Sequence, residues 1–180
     1  MVAFGPAVTA LENMVAEWSF DSANNDEDPF NQVVVDVKIE GEHGEQWIVP
    51  AFWRGGHVWT VRFACGKPGT YTYRTICNDT DNFGLHNITG EIRISAYQGD
   101  NPLYTHGPIR VAEDQRHFEH ADGTPFFWLA DTWWLGLCER FRWPEDFTLL
   151  TEDRIRKGFT VVQITAGLNP VMDAFDERSA

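Results

Sequence analysis

From about residue 11 to residue 98 hydrophobic and polar positions alternate. Val33, Val35, Val37 and Ile39 are interleaved with Val34, Asp36, Lys38 and Glu40, the period-two pattern of a strand with one buried face. Trp59, Val61 and Phe63 share a face of Val58–Ala64, and Tyr71, Tyr73 and Thr75 share one of Thr70–Cys77. Met14–Phe20, Gln46–Trp53 and Glu91–Tyr97 read as further strands, and the polar and glycine-rich stretches 24–29, 41–45, 54–57 and 65–69 punctuate them. Roughly seven short strands at this spacing, without a helical pattern, predict an antiparallel β-sandwich of immunoglobulin-like type over residues 1–100. Residues 65–69 are expected to close a hairpin that pairs Phe63 with Tyr73, the register that puts both apolar faces on one side. Trp18, Trp47, Trp53 and Trp59 are expected in its core.

The texture changes near residue 100. Asp100-Asn101-Pro102 and Gly107-Pro108 bracket a connecting segment, and Arg110–Val111 with His117–His120 predict a small hairpin turning at Ala121-Asp122-Gly123. The run Phe126-Phe127-Trp128-Leu129-Ala130 then ends in Asp131, like a parallel strand covered on both faces and closed by a carboxylate. Trp143-Pro144-Glu145-Asp146 reads as a helix start, with acids at the positive end of the dipole. Phe147, Leu150 and Ile155 are compatible with one buried stripe, and Gly158 with a C-terminal cap. Phe159–Ile164 is a second apolar strand, so the order is strand, helix, strand: one βαβ unit, whose edges would need covering.

Composition narrows the ligand more than the fold. Among 180 residues, 43% are hydrophobic and eight are tryptophans, enough for a packed core and for stacking surfaces. A net charge of −13 opposes nucleic acid, where lysine and arginine supply the affinity, and opposes an anionic membrane surface. A neutral ligand such as a carbohydrate is compatible with it, as is plain solubility. Cys65, Cys77 and Cys138 read as free thiols of a reducing compartment. With no basic residue before Lys38 and no long apolar run, a cytoplasmic location is the expectation.

Asp131 leads the site candidates. A carboxylate at a strand end beside Trp133 and Trp134 suits a sugar, whose hydroxyls seek carboxylates and whose C–H faces seek indole. An aspartate there also serves as a turn or helix cap, and spacing alone leaves both readings open. Gln163 interrupts an apolar strand and Asn169 follows its end; a buried amide there must be hydrogen-bonded by the fold or by a ligand. His117 and His120 have no third ligand fixed nearby, so no metal is expected. Asp173 and Asp176 make no convincing catalytic pair with Asp131 for glycoside hydrolysis.

The strings Gly107–Val111, His120–Trp134, Arg142–Phe147 and Lys157–Gln163 together resemble the start of the apiosidase-like glycoside hydrolases. Trp59–Phe63 with Gly69-Thr70-Tyr71 is similar to the immunoglobulin-like domain that commonly precedes that barrel. The resemblance implies a (β/α)₈ TIM barrel that cleaves plant cell-wall glycans without a cofactor. It implies substrate contacts from Asp131, Gln163 and Asn169, with both catalytic acids on later strands; Trp133 and Trp134 are stacking candidates from their residue type, against a role in the core, with one of the pair expected to face solvent. The expected architecture is therefore a sandwich over 1–100 followed by an incomplete α/β segment over 101–180. Carbohydrate is the expected partner, inactivity of this chain alone is expected, and so is self-association through the incomplete barrel. The alternative is a non-catalytic carbohydrate-binding or scaffolding sandwich with a vestigial barrel segment.

Overall fold

A computed structural model describes residues 3–134, 136 and 141–165. It is mostly β-strand in several sheets, with few helices. The chain divides into two units, Met1–Pro108 and Ile109–Ala180.

The first unit is built as two sheets. Strands β1 (Ala3–Phe4), β2 (Val8–Leu11), β3 (Val15–Asp21), β4 (Val35–Gly41), β5 (Gln46–Pro50), β6 (Phe52–Gly55), β7 (Val58–Ala64), β8 (Gly69–Cys77) and β9 (Ile88–Ser95) are joined by two single-turn helices, α1 (Pro29–Gln32) and α2 (Pro102–Thr105). One sheet runs β1-β9-β8-β4-β5, with β2 following β1 along the same edge of β9; the other is β3-β7-β6. Period-two alternation buries Val35, Val37 and Ile39, Tyr71 and Tyr73, and Ile92 and Ile94 from the larger sheet. Ala16, Trp18 and Phe20 with Trp59, Val61 and Phe63 come from the smaller, and all join one core. Rings lock the two faces together: Trp18 and Tyr73 lie 5.3 Å apart, Phe20 and Tyr73 5.9 Å, Trp47 and Phe63 5.3 Å. Trp18 and Trp59 are buried, and Trp47 and Trp53 pack against the same core.

Two expectations about strand pairing are corrected here. Strands β7 and β8 do not form a hairpin, since β7 pairs with β3 and β6 while β8 pairs with β4 and β9. Residues 65–68 carry the chain from one sheet to the other, so the two apolar faces meet across the sandwich. Phe63 and Tyr71 then sit with ring centroids 6.3 Å apart. The stretch expected as one strand, Gln46–Trp53, breaks after Pro50 and changes sheet: β5 pairs with β4, and β6 with β7. Cys65 and Cys77 are buried free thiols, while Cys138 lies outside the described residues.

The second unit opens with a meander of β10 (Ile109–Val111), β11 (Phe118–His120) and β12 (Pro125–Phe126), one strand more than the expected hairpin. Then come β13 (Ala130–Trp133), α3 (Glu145–Arg156) and β14 (Val161–Ile164). The last two strands pair in parallel, Ala130 with Val161 through Trp133 with Ile164, which makes the expected βαβ unit. Its first strand starts later than the apolar run suggests. Phe127–Leu129 lie outside any strand, and Phe127 is 74% exposed.

Helix α3 carries Glu145 and Asp146 in its first turn and Arg154 and Arg156 in its last, charges that complement the dipole. Its inward stripe is Phe147, Leu150, Thr151 and Arg154, at spacings of three and four; Ile155, expected on that stripe, is 67% exposed. It ends in a Schellman motif. Gly158 adopts φ +78°, its N–H reaches Ile155 O at 3.0 Å, and Phe159 N–H reaches Arg154 O at 3.0 Å. Among the described residues no helix is long and apolar enough to cross a membrane.

Candidate functional site

Asp131 is the second residue of β13, not the residue closing it, and its carboxylate turns toward helix α3. Oδ2 accepts from Arg154 Nε at 2.5 Å and from Trp133 Nε1 at 2.9 Å; Oδ1 accepts from Thr132 N–H at 2.9 Å. The Arg154 guanidinium foremost, then the Trp133 indole N–H, holds the Asp131 carboxyl below the usual carboxylate range. Neither side chain is deeply buried, at 25% and 26% side-chain exposure, so water screens the pair. Asp131 is thus neither a turn cap nor a helix cap: it fastens a strand to the end of the helix beside it.

Arg154 organises more than one group. Its Nη1 donates to Asp153 Oδ2 at 2.6 Å, its guanidinium lies 5.4 Å from the Phe159 ring centroid, and Lys157 Nζ also reaches Asp153 at 2.8 Å. Arg154 was not among the site candidates read from the sequence. The signal for its role was the spacing Phe147, Leu150, Arg154, which puts it, rather than Ile155, on the face toward the strands.

The two tryptophans part company. Trp133 is buried, 6% exposed, with its ring stacked near Phe141 at 6.4 Å and edge-on to Phe147 at 5.4 Å. Trp134 is 72% exposed. Asp131, Trp133, Trp134, Phe141, Leu150 and Arg154 line an open depression of about 380 Å³, so three predicted site residues come together. Gln163 stands opposite Thr132 on β14 and is exposed, which removes the buried-amide argument for it. Asn169, Asp173 and Asp176 lie outside the described residues. No cluster of metal-ligating side chains occurs among the described residues, and His117 Nδ1 instead faces Asp114 at 3.2 Å.

The second unit thus offers a parallel βαβ unit with a carboxylate and two indoles at one open depression. Residues 13–78 match a domain of unknown function (DUF5060), and residues 112–173 match the model "Apiosidase-like, catalytic domain". Residues 112–173 are therefore similar to an apiosidase-like catalytic domain, over the stretch whose motifs resemble that family. No curated protein matches. A crystal structure from Bacteroides vulgatus, of a protein provisionally described as a glycoside hydrolase, superposes with a TM-score of 0.65 at 18% identity. The match covers 92% of this chain and 30% of that one, so this chain spans under a third of that protein's length, and the likeness is one of fold.

Proposed function

We propose that β13, α3 and β14 are the first βαβ unit of a TIM-barrel catalytic domain, and that the complete barrel hydrolyses glycosidic bonds in plant cell-wall oligosaccharides. The parallel pairing of β13 with β14 around α3, and the family match over residues 112–173, support this reading. In it, Trp134 stacks on a sugar ring and Asp131 accepts sugar hydroxyls. Trp133 positions Asp131 from beneath, and Gln163 and Asn169 supply further polar contacts.

The observation that carries the division of labour is the Asp131–Arg154 ion pair. A glycosidase needs one carboxyl that delivers a proton and one that acts as nucleophile or base, and a proton donor requires a raised pKa. Asp131 is held the other way, anionic, which suits binding and not acid catalysis. Asp153 is committed to the same arginine and to Lys157, and its pKa is lowered too, first by Lys157. Neither Asp131 nor Asp153 is therefore suited to deliver the proton, and in this reading both catalytic acids come from later barrel strands, so that the 180 residues alone do not turn over substrate. Two carboxylates suffice for the chemistry, without a cofactor.

The test is an assay of this chain beside a chain extended through a whole barrel, on a panel of neutral and acidic plant oligosaccharides. Turnover by the extended chain alone is expected. Turnover by the 180 residues, abolished by Asp131→Asn, would overturn the assignment.

A further inference from the structure

The first unit has its own concave site at one end of the sandwich, lined by Trp53, Trp59, His57 and the loop Asn24–Glu27, with a volume of about 330 Å³. We infer that this depression binds a neutral sugar residue, as a glycan-holding site of the first unit.

The walls are built before a ligand arrives. Asn82, fully buried, accepts from Ala23 N–H at 3.1 Å and donates to Ser22 Oγ at 2.8 Å. Asn24 Nδ2 donates to Asp79 Oδ2 at 2.7 Å, and Ser22 N–H donates to His57 O at 2.8 Å. Gly84 lies so close beneath this loop that a Cβ there would come within 2.0 Å of Asp21 O. Four hydrogen bonds thus fix residues 22–24, the base from which Asn25, Asp26 and Glu27 extend.

The lining carries the two halves of sugar chemistry. Trp53 and Trp59 are a cross-strand pair, and the Trp53 indole N–H is already committed to Gly56 O at 2.9 Å, which sets the ring plane. An indole so fixed offers an apolar surface to a C–H face. Opposite it, the Asn25, Asp26 and Glu27 side chains have no hydrogen-bond or ion-pair partner among the described residues, and His57 uses only Nδ1. The neighbouring carboxylate, Asp28, caps α1 by accepting from Asn31 N–H at 3.4 Å, accepts also from the Asn31 side-chain amide at 2.8 Å, and does not compete. Two free carboxylates and an amide accept and donate to hydroxyls, and the same carboxylates repel a uronate. The size lies at the lower end of small-molecule sites, roughly 300–1,000 Å³, which fits one or two sugar rings.

The test is NMR titration of the Trp53 indole N–H in the full 180-residue chain. The probes are xylotetraose, cellotetraose and arabinotetraose, beside tetragalacturonate and calcium ion alone. At least one neutral oligosaccharide is expected to shift Trp53, and tetragalacturonate is not. The double variant Asn25→Ala/Asp26→Ala, both lacking internal partners, is expected to keep the spectrum of the fold and lose at least tenfold in affinity. No response to any neutral oligosaccharide, an undiminished response in the double variant, or a response to calcium alone would each overturn the inference. Failure of hydrolysis in the barrel would leave this result untouched, because the readout is binding at Trp53.

Discussion

Arg154, the innermost charge of helix α3, places its Nε 2.5 Å from Asp131 Oδ2, joining two residues 23 positions apart in the chain. The pair fixes which way the strand presents its carboxylate. It also couples the register of β13 to the C-terminal turn of the helix, where the Schellman motif of Gly158 and Phe159 sets Arg154 in place.

The pair makes the second unit acid-sensitive. The Asp131 carboxyl titrates below its unfolded value of about 4, so the stabilisation is present above that pH and fades as pH falls through the depressed folded value. On acidification the Trp133 indole N–H resonance is expected to move, since that donor shares Oδ2 with Arg154. Asp131→Asn is expected to lower the melting temperature of the second unit near neutral pH and to remove this acid transition. An unchanged Trp133 titration in Asp131→Asn would refute the assignment.

Gly158 ends α3 at a position that a side chain cannot occupy cheaply, because φ +78° is left-handed. Gly158→Ala is expected to destabilise the second unit by roughly 1–2 kcal/mol, the usual cost of a left-handed non-glycine residue. The helix end would then be free to shift and the Arg154–Asp131 pair to loosen. Chemical denaturation read by circular dichroism checks the loss. Full stability in the variant would mean that the cap contributes nothing to the fold.

Tyr73 sits at the centre of the sandwich, packed on Trp18 and over Gly90, with its hydroxyl donating to Pro6 O at 2.9 Å. Burial pushes its pKa up to about 12, and burial raises Tyr71 as well. A raised folded pKa contributes stability that is complete below the unfolded value near 10 and disappears as pH rises through about 12. The first unit is therefore expected to unfold cooperatively in that alkaline window, with phenolate absorbance appearing as it does so. Tyr73→Phe loses one hydrogen bond, about 1 kcal/mol at neutral pH, but should retain more of its stability at high pH. A phenolate signal near pH 10 in the folded chain that is lost in Tyr73→Phe would contradict the buried placement.

The side-chain faces were legible in the sequence, while the partners of those faces were less so. Period two assigns Trp59, Val61 and Phe63 to one face and Tyr71, Tyr73 and Thr75 to another, and all six are buried. Alternation carries no information on whether two strands are neighbours in one sheet or face each other across two, which is why β7 and β8 read as a hairpin. Residues 46–53 show the same ambiguity, since an unbroken apolar pattern continues through a change of sheet at Ala51. In the second unit the order strand, helix, strand was readable, and so was the gathering of Asp131 with Trp133 and Trp134. The apolar run 126–130 misled because continuous hydrophobicity does not distinguish a buried strand from exposed aromatics such as Phe127 and Trp128. Arg154 was overlooked as the partner of Asp131 because helix phase has to be known to one residue to separate it from Ile155.

The edges of the βαβ unit lead to the last prediction. Among the described residues β13 and β14 pair only with each other, so each has a free edge of N–H and C=O groups. In the same unit Trp134, Leu149 and Ile155 are each more than 60% exposed, and Val162 on β14 is 36% exposed. Unpaired edges beside exposed apolar side chains favour association with a second chain. We propose that the 180-residue chain self-associates through this unit. Light scattering is expected to give a concentration-dependent mass above the 20.6 kDa of one chain. Val162→Lys, a charge on the β14 edge strand, is expected to shift the equilibrium toward monomer without lowering the stability of the first unit. A concentration-independent monomer for the unsubstituted chain would show that these edges are closed within one chain, and the self-association would be withdrawn.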